Sequence, residues 1–71
     1  MPKLLPLTPK TLIRILLEHG FVLERSRGSH HLYYNAETMR RVVVPIHKKA
    51  LPKGTLMAIL HQAGLNKDDV T

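Results

Sequence analysis

The sequence predicts an α+β fold of order α-β-β-β-α, a three-stranded antiparallel sheet with two helices on one of its faces. Three observations carry that expectation: apolar residues at helical spacing near each end, three short β-rich runs between them, and Gly or Pro at the borders. Two amphipathic helices on one side of an antiparallel sheet leave its other side wet, which suits a chain too short for a larger core. Seventy-one residues, 1–71, make one domain. A chain of that length buries only about 60% of the surface its unfolded form exposes, so function is expected on the surface rather than in a deep cleft. With 44% hydrophobic and 23% charged residues, the chain holds enough apolar surface to offset its entropy and fold alone.

In chain order, Thr8-Pro9 opens the first helix, a hydroxyl at the N-cap followed by proline at the first helical position. Leu12, Ile13, Leu16 and Leu17 recur as its apolar stripe, Lys10, Thr11, Arg14 and Glu18 fall opposite, and Gly20 stops it. Phe21–Arg25 reads as the first strand, and Ser26-Arg27-Gly28-Ser29 as a turn in which Gly28 takes a positive φ. His30–Tyr34 returns as the second strand, Asn35–Met39 turns again, and Arg40–Val44 forms a third strand that Pro45 ends. A basic loop, Ile46–Lys53, leads to Gly54-Thr55 and a second helix with Leu56, Ile59, Leu60 and Ala63 on its apolar face and Gly64 as its stop. Asn66 with Asp69 three residues on looks like a cap for one last turn.

The charge is unevenly placed. Residues 25–53 hold Arg25, Arg27, Arg40, Arg41, Lys48, Lys49 and Lys53 against Glu37 alone, seven minus one, which equals the whole net charge of +6. Elsewhere Lys3, Lys10, Arg14 and Lys67 balance Glu18, Glu24, Asp68 and Asp69. A clustered positive field attracts polyanions, and nucleic acid comes before an acidic protein or an anionic lipid surface; a merely solvated basic face is the competing explanation. The seven cations of that window are therefore the expected RNA-binding set. No cysteine means no disulfide and no thiolate metal site. The opening Met1–Leu7 is too short and too interrupted by proline for a signal peptide, and no apolar run approaches the roughly 20 residues of a membrane span. A soluble cytoplasmic protein that avoids membranes is expected.

Arg25-Ser26-Arg27-Gly28-Ser29-His30-His31 is the stretch where chemistry is expected, because a tight turn delivers histidine to a strand between basic residues. His30 and His31 are adjacent on a strand and point to opposite faces, so only one shares a site with any given neighbour. With His47 and His61 the other candidate ligands, no HExxH spacing and no nearby carboxylate, neither a metal nor another cofactor is expected. A histidine in such a site suits proton transfer near neutral pH. RNA carries its own nucleophile, the 2′-hydroxyl, and asks for a base and for cations that hold the phosphate. His30 is the candidate catalytic residue, with His47, Arg25 and Arg27 in assisting roles; a structural role for His47 stays open. The residues alone support a small RNA-binding domain, either a ribonuclease or a non-catalytic module.

Four blocks carry a resemblance: Gly20-Phe21; Arg25 with Gly28-Ser29-His30-His31-Leu32-Tyr33; Val44-Pro45-Ile46-His47; and Lys53-Gly54-Thr55-Leu56 with Ile59-Leu60 and Gln62-Ala63-Gly64. In order and spacing the chain resembles the HicA (YcfA-like) toxin family. That resemblance implies a fold like a double-stranded-RNA-binding domain, mRNA interferase activity on mRNA in a type II toxin-antitoxin system, and restraint by a HicB-like antitoxin. The family's catalytic histidine is the one in the glycine-serine-histidine block, which is His30 here.

Overall fold

The computed structural model describes residues 7–47 and 49–69, with Lys67 by its backbone only; Lys48 and most of the opening tail lie outside the described residues. Helix α1 spans Pro9–Glu18, strands β1, β2 and β3 span Phe21–Arg27, His30–Asn35 and Arg40–Pro45, helix α2 spans Lys53–Ala63, and a 3-10 turn covers Lys67–Asp69. The order and the antiparallel sheet β1-β2-β3 are those expected.

Thr8 caps α1, its hydroxyl accepting from the Thr11 amide at 3.3 Å, and Pro9 occupies the first turn. The apolar stripe is rotated from the expected one. Pro9, Leu12, Ile15 and Leu16 are buried, Ile13 is partly buried, and Leu17 is 51% exposed. At 3.6 residues per turn, Pro9, Leu12 and Leu16 form one line, Ile13 and Ile15 flank it, and Leu17 is carried round to solvent. The helix has more apolar residues than the sheet can cover.

Strand β1 runs two residues past its expected end. Its pairing with β2 shifts register between Leu23 and Arg25, so Glu24 is the extra residue of a bulge and Arg27 pairs with His30. Without that extra residue the hairpin would close on a three-residue loop; with it, only Gly28 and Ser29 remain in the turn, and Gly28 takes φ +57°. The second turn is held from inside. Asn35, 5% exposed, accepts the Glu37 and Thr38 amides on Oδ1 at 2.8 and 3.2 Å and donates from Nδ2 to the His19 carbonyl at 3.0 Å. One side chain thus ties the end of α1 to the β2–β3 connection.

Helix α2 starts one residue before the expected Gly54, with Pro52 at its N-cap and no side chain capping it. Leu56, Ile59, Leu60 and Ala63 are its buried face, as expected. Gly64 ends it at φ +74°, and the Leu65 amide reaches back to the Leu60 carbonyl at 2.9 Å. Asn66 and Asp69 cap the last turn reciprocally: Asn66 Oδ1 accepts from the Asp69 amide and Asp69 Oδ2 from the Asn66 amide. Both helices pack on one side of the sheet, against Phe21, Tyr33, Val42 and Val44. Among the described residues the opposite side carries no helix, and it holds the candidate site.

Candidate nucleic-acid interface

Because paired residues of antiparallel strands point the same way, the register sorts the sheet into rows. Three rows face the helices: Phe21-Asn35-Arg40, Leu23-Tyr33-Val42 and Ser26-His31-Val44. Three face outward: Arg27-His30-Pro45, Arg25-Leu32-Val43 and Val22-Tyr34-Arg41. The exposed His30 therefore shares the open face with Arg27 in its own row and Arg25 in the next. His31 belongs to the other face, partly buried, its ring centroid 6.4 Å from that of Tyr33. Of the two adjacent histidines, the one on the open face is the one that the turn and the arginines flank.

His47 arrives at the same end of the sheet by a backbone bond. The Ile46 amide donates to the Ser29 carbonyl at 2.6 Å, extending the β2–β3 ladder past Pro45 and setting the exposed His47 next to the Gly28-Ser29 turn. Lys49 is exposed on the following loop, and Lys53 stands at the start of α2, a first turn with no acidic residue and free amides that favour anions. Arg25 and Arg27 form no ion pair among the described residues.

The remaining expected cations are placed differently. Arg40 lies at the far end of β3, on the helix-facing side, where Nη1 donates to the Gln62 carbonyl at 3.3 Å near the end of α2. A Cβ on Gly64 would stand 2.8 Å from Arg40 Nε, so this guanidinium covers the helix end. Arg41 faces outward but is paired: Nε donates to Glu24 Oε1 at 3.0 Å and Nη2 to Oε2 at 3.4 Å, while Cζ sits 4.2 Å from the Tyr34 ring centroid. The hydrogen bond that Arg41 donates to Glu24, and then the carboxylate's charge, push the Arg41 pKa further above the ordinary guanidinium value. The basic residues thus divide between a group at the turn end and two arginines at the other end that have partners within the fold.

Sequence reasoning assigned no role to Tyr34, Glu24, Leu32 or Val43. Tyr34 was findable by period, four residues on from His30 and hence on its face. Glu24, two residues on from Val22, shares that face by the same period, but its meeting with Arg41 needs the strand pairing. Two surface hollows lie elsewhere, one on the outer side of α1 around Lys10, Ile13, Arg14 and Leu17, the other around Met57, His61 and Leu65; neither includes His30. Among the described residues no three His, Asp or Glu side chains converge as metal ligands would, and no helix is long and apolar enough to cross a membrane.

Two helices behind a three-stranded sheet whose other face is basic at one end define a class of small α+β domain. Within that class the family is specific: residues 9–65 match the model described as the HicA toxin of bacterial toxin-antitoxin systems, and the chain belongs to that family. All four blocks of the resemblance fall inside the matched span. An antitoxin partner goes with this membership. No individually curated protein matches the chain.

Proposed function

We propose that this protein is an mRNA interferase, a cytoplasmic endoribonuclease toxin restrained by a HicB-like antitoxin, and that it cleaves RNA with its own 2′-hydroxyl as nucleophile. The observation that carries this is the outward row Arg27-His30-Pro45, which sets His30 beside an arginine on the face away from the helices; the resemblance in the glycine-serine-histidine block assigns catalysis to the same residue. His30 takes the proton of the 2′-hydroxyl; the oxygen attacks the adjacent phosphorus; the bond to the 5′-oxygen breaks. The products are a 2′,3′-cyclic phosphate and a 5′-hydroxyl, the leaving oxygen taking its proton from His47 or from water. Arg25 and Arg27 hold the phosphate and its developing charge.

Flanking phosphates fall to Lys49 and Lys53, and to Lys48, which follows His47 directly in sequence. Arg40 is left out of this set, because its guanidinium is engaged by the end of α2. The test is cleavage of an unstructured RNA in EDTA by the wild type and by His30→Ala. An exposed strand histidine changes stability by only about 0.5 kcal/mol, whereas loss of a positioned base costs about 10²- to 10⁴-fold in rate. His30→Ala is expected to fold, to bind RNA and to cleave at least a hundredfold more slowly, with wild-type cleavage indifferent to EDTA. Equal cleavage rates for the two proteins would remove His30 as the base, and no cleavage by the wild type would leave a non-catalytic RNA-binding module as the better account.

A further inference from the structure

We propose that Arg41, backed by the Tyr34 ring and oriented by Glu24, is a stacking subsite for a base of single-stranded RNA, two rows along the open face from His30. This rests on the proposal that the open face handles RNA. Rows on one face of a strand repeat every two residues, about 6.5 Å, so Tyr34 stands about 13 Å from His30, within reach of a nucleotide flanking the scissile one.

The geometry is that of a prepared plane rather than of a loose surface cation. Arg41 is 53% exposed, yet held on two sides: Glu24 takes two of its nitrogens, and the Tyr34 ring lies 4.2 Å beneath its carbon. An isolated surface ion pair contributes little to stability, so the pair serves to orient the guanidinium more than to hold the fold. A guanidinium plane with one face on an aromatic ring leaves its other face for a nucleobase. Between this plane and the His30 row lie Leu32, partly buried, and Val43, 46% exposed, with Val22, 58% exposed, beside Tyr34. Apolar and aromatic surface interleaved with cations suits splayed bases on an anionic backbone. In a duplex the base faces are stacked on one another and unavailable to it.

The test uses Arg41→Lys, which keeps the charge and removes the plane, and Tyr34→Leu, which removes the ring beneath it. Binding is measured by fluorescence anisotropy with a short unstructured RNA carrying 2′-O-methyl sugars, which cannot be cleaved, and with a blunt RNA duplex. Each variant is expected to bind the single strand about tenfold more weakly, with duplex binding and the salt dependence of binding unchanged. Wild-type affinity for the single strand in Arg41→Lys, or equal losses on strand and duplex, overturns the subsite. A variant that binds RNA normally but no longer binds its antitoxin also overturns it, and assigns the plane to the protein partner. If the wild type binds neither RNA, the functional proposal fails along with the subsite. If the wild type binds and cleaves RNA while both variants match it, the subsite alone fails.

Discussion

Replacing Asn35 by alanine should be the most damaging change among the polar residues of the described chain. Its side chain is 5% exposed and makes three hydrogen bonds, to the His19 carbonyl at 3.0 Å and from the Glu37 and Thr38 amides at 2.8 and 3.2 Å. At about 0.5–1.5 kcal/mol each, with the lower end for the two amides that water can reach, the loss is about 2–3 kcal/mol. A domain of this length has a total stability of about 4–10 kcal/mol, so the change removes a large part of it. Each kcal/mol shifts the midpoint of a small domain by about 4–8 °C, so Asn35→Ala should melt roughly 10–20 °C lower. Thermal denaturation followed by far-ultraviolet circular dichroism measures this, with Glu37→Ala, exposed in the same turn, as a control expected within about 0.5 kcal/mol. Because Asn35 lies at the end of β2 away from His30, RNA cleavage per folded molecule should be unchanged well below the midpoint. A midpoint for Asn35→Ala within about 3 °C of wild type would refute the reasoning that this side chain ties α1 to the second turn.

Two other outcomes follow from the packing and the charge. Leu16→Ala should cost about 2–5 kcal/mol and Leu17→Ala less than about 0.5 kcal/mol, since one is fully buried and the other 51% exposed; urea titrations of both check the phase of α1, and similar costs would put it wrong. If Arg25, Arg27, Lys49 and Lys53 each neutralise one phosphate of a single strand, at a slope of about −0.7 per contact, affinity falls about fiftyfold between roughly 50 and 200 mM salt. A flat titration would remove the phosphate contacts from the account.

The order of elements was legible because its signals are local: a hydroxyl before Pro9, glycines after each helix, and β-branched runs bounded by turns. That His30 and His31 point to opposite faces was legible too, since alternation along a strand needs no partner. What could not be read depends on partners distant in sequence. Leu17 looks as apolar as Leu16, and only the sheet decides which of them is covered. Arg25 and Arg27 share the face of Val22 because a bulge adds one residue to β1, and nothing in Leu23-Glu24-Arg25 announces a register shift. Arg40 and Arg41 are indistinguishable as adjacent cations, yet alternation sends one to the end of α2 and the other over Tyr34. Asn35 reads as a turn residue, whereas its backbone closes β2 and its side chain holds the turn that follows; its further role, toward His19, needs α1 to be in place.

If His30 activates a 2′-hydroxyl, removing that hydroxyl from the RNA stops cleavage as removing the histidine does. An RNA that the protein cleaves at one bond is compared, in EDTA, with the same strand carrying a single 2′-deoxy sugar on the 5′ side of that bond. Wild-type protein should bind both equally, cut the RNA to a 2′,3′-cyclic phosphate and a 5′-hydroxyl, and leave the substituted bond intact, while His30→Ala binds both and cuts neither. Cleavage of the deoxy-substituted bond at a rate comparable to the RNA would contradict the account, because the attacking oxygen would then have to come from elsewhere.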